Sequence, residues 1–302
     1  MVQYSSEEED NLLGLLVKLF PLSSKATLRK MLTSGRVTVD GKVCYRAKHE
    51  IAIGDNIEIL DKAKATEESP SPKDQYSGRK LDIIYEDDAI LVVIKPEGML
   101  SIATNKLEND TLHSRCVDYV QFSDERNWCH IVHRLDRDTS GVMVFAKNKH
   151  HKEHLQSQFA ERSVHRTYHA LVEGRPEKES GTVSAWLVED KHLHVRKVSS
   201  TYQGAKKAIT HWNIEDSDRH VSLIHISIET GRRHQIRMAM KDLGCPVVGD
   251  ELHESSANPL NRVCLHATAL EFLHPQNDDP VRFEAKIPFT SSKSKREPKH
   301  SE

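Results

Sequence analysis

The sequence predicts an α+β fold, a mostly antiparallel or mixed sheet with flanking helices, preceded by a small α/β domain. Three observations predict it. Strand-like runs outnumber amphipathic stretches, and many follow one another directly, which favours strands joined by hairpins. Strict strand–helix alternation is absent, and so are the G-x-G-x-x-G and P-loop patterns of nucleotide-binding sheets. With 302 residues, the chain also exceeds the size at which one core keeps growing, so two domains are expected.

Residues 1–10, "MVQYSSEEED", read as an acidic tail. Residues 11–60 read as the small domain. Ser24 can cap a short helix over 25–33, in which Ala26, Leu28, Met31 and Leu32 supply apolar contacts. Gly35 stands where a left-handed stop belongs. "RVTV" and "KVCY" flank Asp40-Gly41, a two-residue hairpin signal, and "GDNIEIL" supplies a turn and a closing strand. Residues 61–80, rich in Ser, Pro and charge, read as a linker.

Residues 81–290 hold the large domain. "LDIIYEDDAILVVIKP" predicts two strands around the acidic turn Glu86–Asp88. "GVMVFAK", "RTYHALVEG", "GTVSAWL", "KKAITHWNI" and "VSLIHISIETG" predict further strands. A helix is expected in "NKHHKEHLQSQFAER", where Leu155 and Phe159 share a face. Another is expected in "RRHQIRMAMKDLG", where Ile236, Met240 and Leu243 recur and Gly244 marks the stop. Residues 291–302, "SSKSKREPKHSE", read as a disordered tail.

No apolar run reaches the roughly 18 residues of a membrane span, and the acidic start lacks the pattern of a signal peptide. Five widely spaced cysteines favour reduced thiols. A cytoplasmic protein is expected. Net charge is −2, but it is unevenly placed: residues 12–60 hold eight Lys/Arg against four acids. Lys25, Arg29 and Lys30 fall near one another on the predicted helix, where they could meet phosphates. Histidine pairs such as His150 and His154, or Cys129 with His130 and His133, could bind zinc. There is no H-E-x-x-H and no paired C-x-x-C, so scattered histidines are the favoured reading and no metal is placed.

The crowded string "HIVHRLDRDTSGVMVFAK" (130–147) carries the first candidate for chemistry. Asp136 lies between Arg134 and Arg137 at the mouth of an apolar strand. Neighbouring positive charge favours an ionised carboxylate, which can attack an electrophilic carbon or take a proton. An isolated Asp in such a setting is more often a surface ion pair.

The full string "HRLDRDTSGVMVFAK" resembles the defining motif of RluA-type RNA pseudouridine synthases. "VVIKPEGMLS" (92–101) resembles that family's opening segment. "HRTYHALVEG" (165–174) resembles its tyrosine motif, "ETGRRHQIRMAMKDLGCPVVGD" (229–250) its arginine motif, and "VCLHATALEFLHP" (263–275) its closing segment. Residues 11–60 resemble the alpha-L RNA-binding module of a small-subunit ribosomal protein, without the usual Arg-Leu-Asp entry. Within the arginine motif "RMAM" replaces a usual valine-histidine pair, and "GDELHE" replaces a common tyrosine-glycine end.

The resemblance implies that uridine within RNA is cut at its N-glycosidic bond, turned over and rejoined through carbon 5, without metal or cofactor. Asp136 matches the catalytic aspartate, attacking C1′ or deprotonating C2′, and Tyr168 matches the active-site tyrosine. Arg237 is the arginine expected to pair with Asp136, with Arg232 as the alternative. Arg134 would hold the flipped nucleotide or fill its vacated space. Arg232 and Leu265 would contact substrate, with Leu265 against the base, and Arg233 would add a phosphate contact. The implied partner is ribosomal RNA, with transfer RNA as the alternative, and the expected state is a monomer.

Overall fold

The structure, a computed structural model, describes residues 2–21, 23–60, 78–104, 108–190 and 194–291. Most of the expected linker (61–77) and all but the first residue of the expected C-terminal tail lie outside the described residues. The chain forms two compact units, Met1–Lys80 with Ser114–Cys129, and Leu81–His113 with His130–Glu302.

The first unit is built from β1 (Val2–Ser5), β2 (Asp10–Asn11), α1 (Leu12–Leu19), α2 (Lys25–Thr33), β3 (Val37–Val39), β4 (Lys42–Val43), β5 (Glu50–Ile51) and β6 (Asn56–Ile59). Ser24 caps α2 by accepting from the Thr27 N–H. Leu12, Leu16, Leu28, Val37 and Ile57 form its dry centre. Residues 1–10 are not the acidic tail that their composition predicts. β1 pairs antiparallel with β6, Tyr4 opposite Ile57, and β2 pairs with β5. The run of acids is held as well, since Lys18 Nζ reaches Glu8 at 2.7 Å and Asp10 at 2.8 Å. An open sheet edge offers main-chain partners whatever the local charge.

This unit also takes residues 114–129 out of the expected 81–290 domain. They contain most of α3 (Leu112–Ser123), on which Cys116, Tyr119 and Val120 are buried. Arg46 lies over the Phe122 ring at 4.5 Å, and Arg79 pairs with Asp118. Arg29 reaches Glu125 at 3.0 Å and Lys48 reaches it at 3.2 Å.

The second unit is an 11-stranded mixed sheet. Its elements are β7 (Asp82–Glu86), β8 (Ile90–Lys95), β9 (His130–Ile131), β10 (Ser140–Ala146), α4 (Lys149–Glu161), β11 (His165–Glu173), β12 (Ser180–Glu189), β13 (Val195–Val198), β14 (Lys206–Ser217), β15 (Val221–Ile228), α5 (Gln235–Asp242), β16 (Leu265–Leu273) and β17 (Pro280–Glu284). The order is β13-β12-β14-β15-β11-β16-β10-β8-β7, with β17 against β16 and β9 against β10. Every pairing is antiparallel except β10 with β16.

β10 is buried along its whole length, as its unbroken apolar run requires of a central strand covered on both faces. Val142, Val144 and Ala146 pack with Leu155 of α4 and Leu270 of β16. Gly141 permits the parallel junction. Its φ is 125°, and a Cβ there would come within 2.1 Å of the Ala267 carbonyl oxygen. No other residue could stand at that contact.

Candidate active site

Asp136 lies in the loop between β9 and β10, where the Thr139 N–H donates to the Asp136 carbonyl at 3.2 Å. Two buried side chains from the segment "KPEGMLS" hold this loop. Ser101 Oγ donates to the Leu135 carbonyl at 2.7 Å and accepts from the Leu135 N–H at 3.1 Å. Lys95, fully buried, donates to the carbonyls of Pro96, Met99 and Arg137 at 2.8, 2.7 and 2.8 Å. Burial pulls the Lys95 ammonium down to about 7, against the attraction of Asp138, Asp136 and Glu97. Three acceptors around one nitrogen require three N–H bonds, which only the charged form supplies.

Lys95→Met is therefore expected to leave three carbonyls without their donor. At roughly 1 kcal/mol each, the loss of unfolding free energy should be about 3 kcal/mol, read by denaturant titration. Isomerisation should fall with it, because the Asp136 loop loses its floor. A variant as stable as the parent would show that the tripod carries no weight.

The Asp136 carboxylate points to the start of α5, where its Oδ2 accepts from the His234 N–H at 3.2 Å. His234 holds a left-handed φ of 51°, and a helix N-terminus favours an anion. Burial lowers His234 to about 4 despite the attraction of Asp136, so its imidazole is neutral.

Arg237 does not form the expected ion pair with Asp136. Its Nε donates to Asp250 Oδ2 at 2.6 Å and its Nη2 to Asp250 Oδ1. Asp250 is fully buried and Arg237 nearly so. Such a pair holds because the planar fork matches both carboxylate oxygens. Burial works against the Asp250 carboxylate, yet the hydrogen bonds from Arg237 and His253 bring it down to about 2. Arg237 Nη1 lies 3.9 Å from Asp138, the acid two residues after Asp136. Arg232 does not meet Asp136 either, since its Nε donates to the Lys207 carbonyl at 3.2 Å. The partner that "GRRHQIR" supplies to Asp136 is a main-chain N–H. The divergent "GDELHE" supplies Asp250 and also His253, whose Nδ1 donates to Asp250 at 3.0 Å and whose ring meets His234 edge-on at 5.1 Å.

Tyr168 stands on β11 at a register shift between Thr167 and Tyr168 against β16, a device that re-aims a side chain. It is buried, which raises its phenol pKa and keeps the hydroxyl protonated. Asp136, Tyr168, Arg237, Arg134, Arg232, Arg233 and Leu265 all line one cleft of about 1140 Å³. Arg233 lies 3.4 Å from Glu189 at the cleft wall rather than free for phosphate. Lys25 and Lys30 are exposed on α2, whereas Arg29, expected beside them as a phosphate contact, is drawn to Glu125. Among the described residues no group of three or more His, Cys, Asp or Glu side chains could hold a metal ion.

Sequence reasoning missed Lys95, His234, Asp250 and His253. A lysine closing an apolar strand run was the available signal for the first, and the other three carried none of their own.

Comparison with known proteins extends this geometry. Residues 89–242 match the family described as RNA pseudouridylate synthase. An "Uncharacterized RNA pseudouridine synthase YhcT" of Bacillus subtilis is 35% identical over 69% of this chain and 69% of its own length. A "Ribosomal large subunit pseudouridine synthase D" of Xanthomonas campestris is 32% identical over 91% of this chain and 85% of its own. The fold is shared with the human "RNA Pseudouridylate Synthase Domain Containing 4", at a TM-score of 0.58 and 22% identity over 68% of this chain and 88% of that one. A family match across the β8–α5 region that builds the cleft, and relatives that span most of the chain, lead to one conclusion: the protein belongs to the RNA pseudouridylate synthase family.

Proposed function

We propose that this isomerase converts a specific uridine of large-subunit ribosomal RNA to pseudouridine, with Asp136 as the group that acts on the sugar. The observation that carries the reading is the gathering of the Asp136 carboxylate, the Tyr168 ring and the Leu265 side chain in one arginine-lined cleft. A flipped uracil can stack on an aromatic ring and pack against an aliphatic one. The carboxylate then lies beside the ribose, where it attacks C1′ or removes the C2′ proton as the N1–C1′ bond breaks. After C5 bonds to C1′, the C5 proton must leave, and the protonated Tyr168 hydroxyl is the polar group next to the base. Arg237, locked to Asp250, braces α5 and with it the His234 N–H that aims Asp136.

Ribosomal RNA is favoured over transfer RNA because a relative spanning 91% of this chain is by its name a ribosomal large-subunit enzyme. The first unit, with Lys25 and Lys30 exposed, would serve as an alpha-L-type RNA contact. Among the described residues no helix is long and apolar enough to cross a membrane. The thiols of Cys44, Cys245 and Cys264 suit a reducing cytoplasm.

Pseudouridine mapping of total RNA from cells with and without the gene tests the proposal. The expected result is loss of one or a few sites in large-subunit ribosomal RNA. Loss confined to transfer RNA would reassign the substrate, and an unchanged map would overturn the activity.

A further inference from the structure

Arg166 lies two residues before Tyr168 on β11 and lines the same cleft, yet its partners are few. Its Nη2 donates to the Glu229 carbonyl at 3.1 Å, and the guanidinium lies over the Phe159 ring at 5.7 Å. Its Nε is buried without a hydrogen-bond partner among the described residues. Gly231 makes room for the group, since a Cβ there would come within 2.7 Å of Arg166 Nη1. This places Arg166 against the backbone that continues into Arg232. Arg162 lines the cleft as well, at the C-terminal end of α4. It stands at a φ of 62°, a left-handed position that usually falls to glycine.

Among the described residues no carboxylate pairs with Arg162, Arg166 or Arg232. Glu229, three residues before Arg232, reaches His211 at 2.8 Å instead. Burial, together with repulsion from Arg162 and Arg232, depresses the Arg166 guanidinium. Three cations gathered without a counter-ion leave room for an anion from outside. Guanidinium forks match phosphate oxygens, and uracil itself offers no charge. At about 1140 Å³ the cleft also exceeds the roughly 300–1,000 Å³ that encloses a single small ligand, which fits a stretch of strand.

We propose that Arg162, Arg166 and Arg232 form a subsite for a backbone phosphate of the RNA strand beside the target uridine. The proposal rests on the reading of the cleft as an RNA site and adds the positions that grip the flanking strand. Arg166 is its centre, because it lines the cleft two residues before Tyr168 and, among the described residues, no carboxylate pairs with it.

The test is binding of fluorescent oligouridylate to the full chain across a series of KCl concentrations. Arg166→Gln should weaken binding about tenfold and reduce the slope of log K against log salt by about 0.7, the share of one phosphate on a single strand. Arg162→Gln should lower the slope in the same direction. Arg166→Lys should keep the slope, since a cation remains. Melting temperatures measured alongside separate a folding defect, which would weaken binding without changing the slope. A parental slope in Arg166→Gln, or a parent chain that does not bind oligouridylate, would overturn the subsite. An unchanged pseudouridine map would instead overturn the activity and leave the slope result standing.

Discussion

Replacing Asp136 by Asn should abolish isomerisation, by at least about 10⁴-fold as expected for loss of a reacting group, while RNA binding persists. Asn has nearly the same volume, and its Oδ1 can still accept from the His234 N–H that Asp136 receives at 3.2 Å. The loop remains held by Ser101 and by the Lys95 bond to the Arg137 carbonyl. The melting temperature should therefore stay near that of the parent. What is lost is the charge needed to attack C1′ or to take a proton from C2′. Tritium release from RNA labelled at uridine carbon 5 reads the first outcome, and oligouridylate binding reads the second. Full release in the variant would remove Asp136 from the chemistry.

Acid should destabilise the protein well before its carboxylates titrate. Burial lowers His133 to about 3 and His266 to about 4, each from an ordinary 6.5. His133 Nε2 accepts from the Val144 N–H at 3.1 Å and its ring stacks on Phe159 at 4.8 Å. Protonation there would set two donors against each other. Ser140 Oγ accepts from Arg262 at 2.6 Å and shares a hydrogen bond of 2.7 Å with His266 Nδ1, and repulsion from Arg262 adds to the burial that disfavours a second proton on that ring. Both rings must be neutral in the folded state, whereas the unfolded chain takes up protons below 6.5. Stability is thus intact above 6.5 and falls as pH drops from there toward 4, by about 4 kcal/mol per pH unit for the three protons of His133, His266 and His234, the last of which also has a folded value of about 4. Asp250 adds a separate loss only below its unfolded value of 3.8, because its folded value is about 2. Denaturant midpoints from pH 7.5 downward measure the slope. His133→Gln, which keeps an acceptor for Val144 without titrating, should lower it by about a third. An unchanged slope in that variant would exclude His133 from the acid response.

Much of the architecture is legible because it is local. The Ser24 cap, the Asp40-Gly41 hairpin and the unbroken apolar run of β10 each follow from residues within one turn or strand. β1 escapes such reading, since four residues ahead of an acidic run carry too short a pattern, and only the edge of β6 gives them a partner. α3 is not among the expected helices, although Leu112, Cys116, Tyr119 and Val120 recur at helical spacing, and its assignment to the first unit depends on contacts across the chain. In the site, the motifs bring Asp136, Tyr168, Arg237 and Leu265 into one cleft. Which carboxylate Arg237 takes is a different kind of question. Asp136, Asp138 and Asp250 are chemically alike, and distance in three dimensions decides among them.

The contact between α5 and Asp136 runs through a peptide nitrogen, and that changes how the site would look to mutagenesis. Alanine at position 234 keeps the N–H, so a scan of side chains would report His234 as having no bearing on the carboxylate. Proline, the one substitution that deletes the donor, cannot adopt a φ of 51° and would fail for that reason first. Any side chain that tolerates the left-handed φ of 51° can therefore stand here without loss of the hold on Asp136. Only a backbone ester, placed by chemical synthesis, would expose the bond.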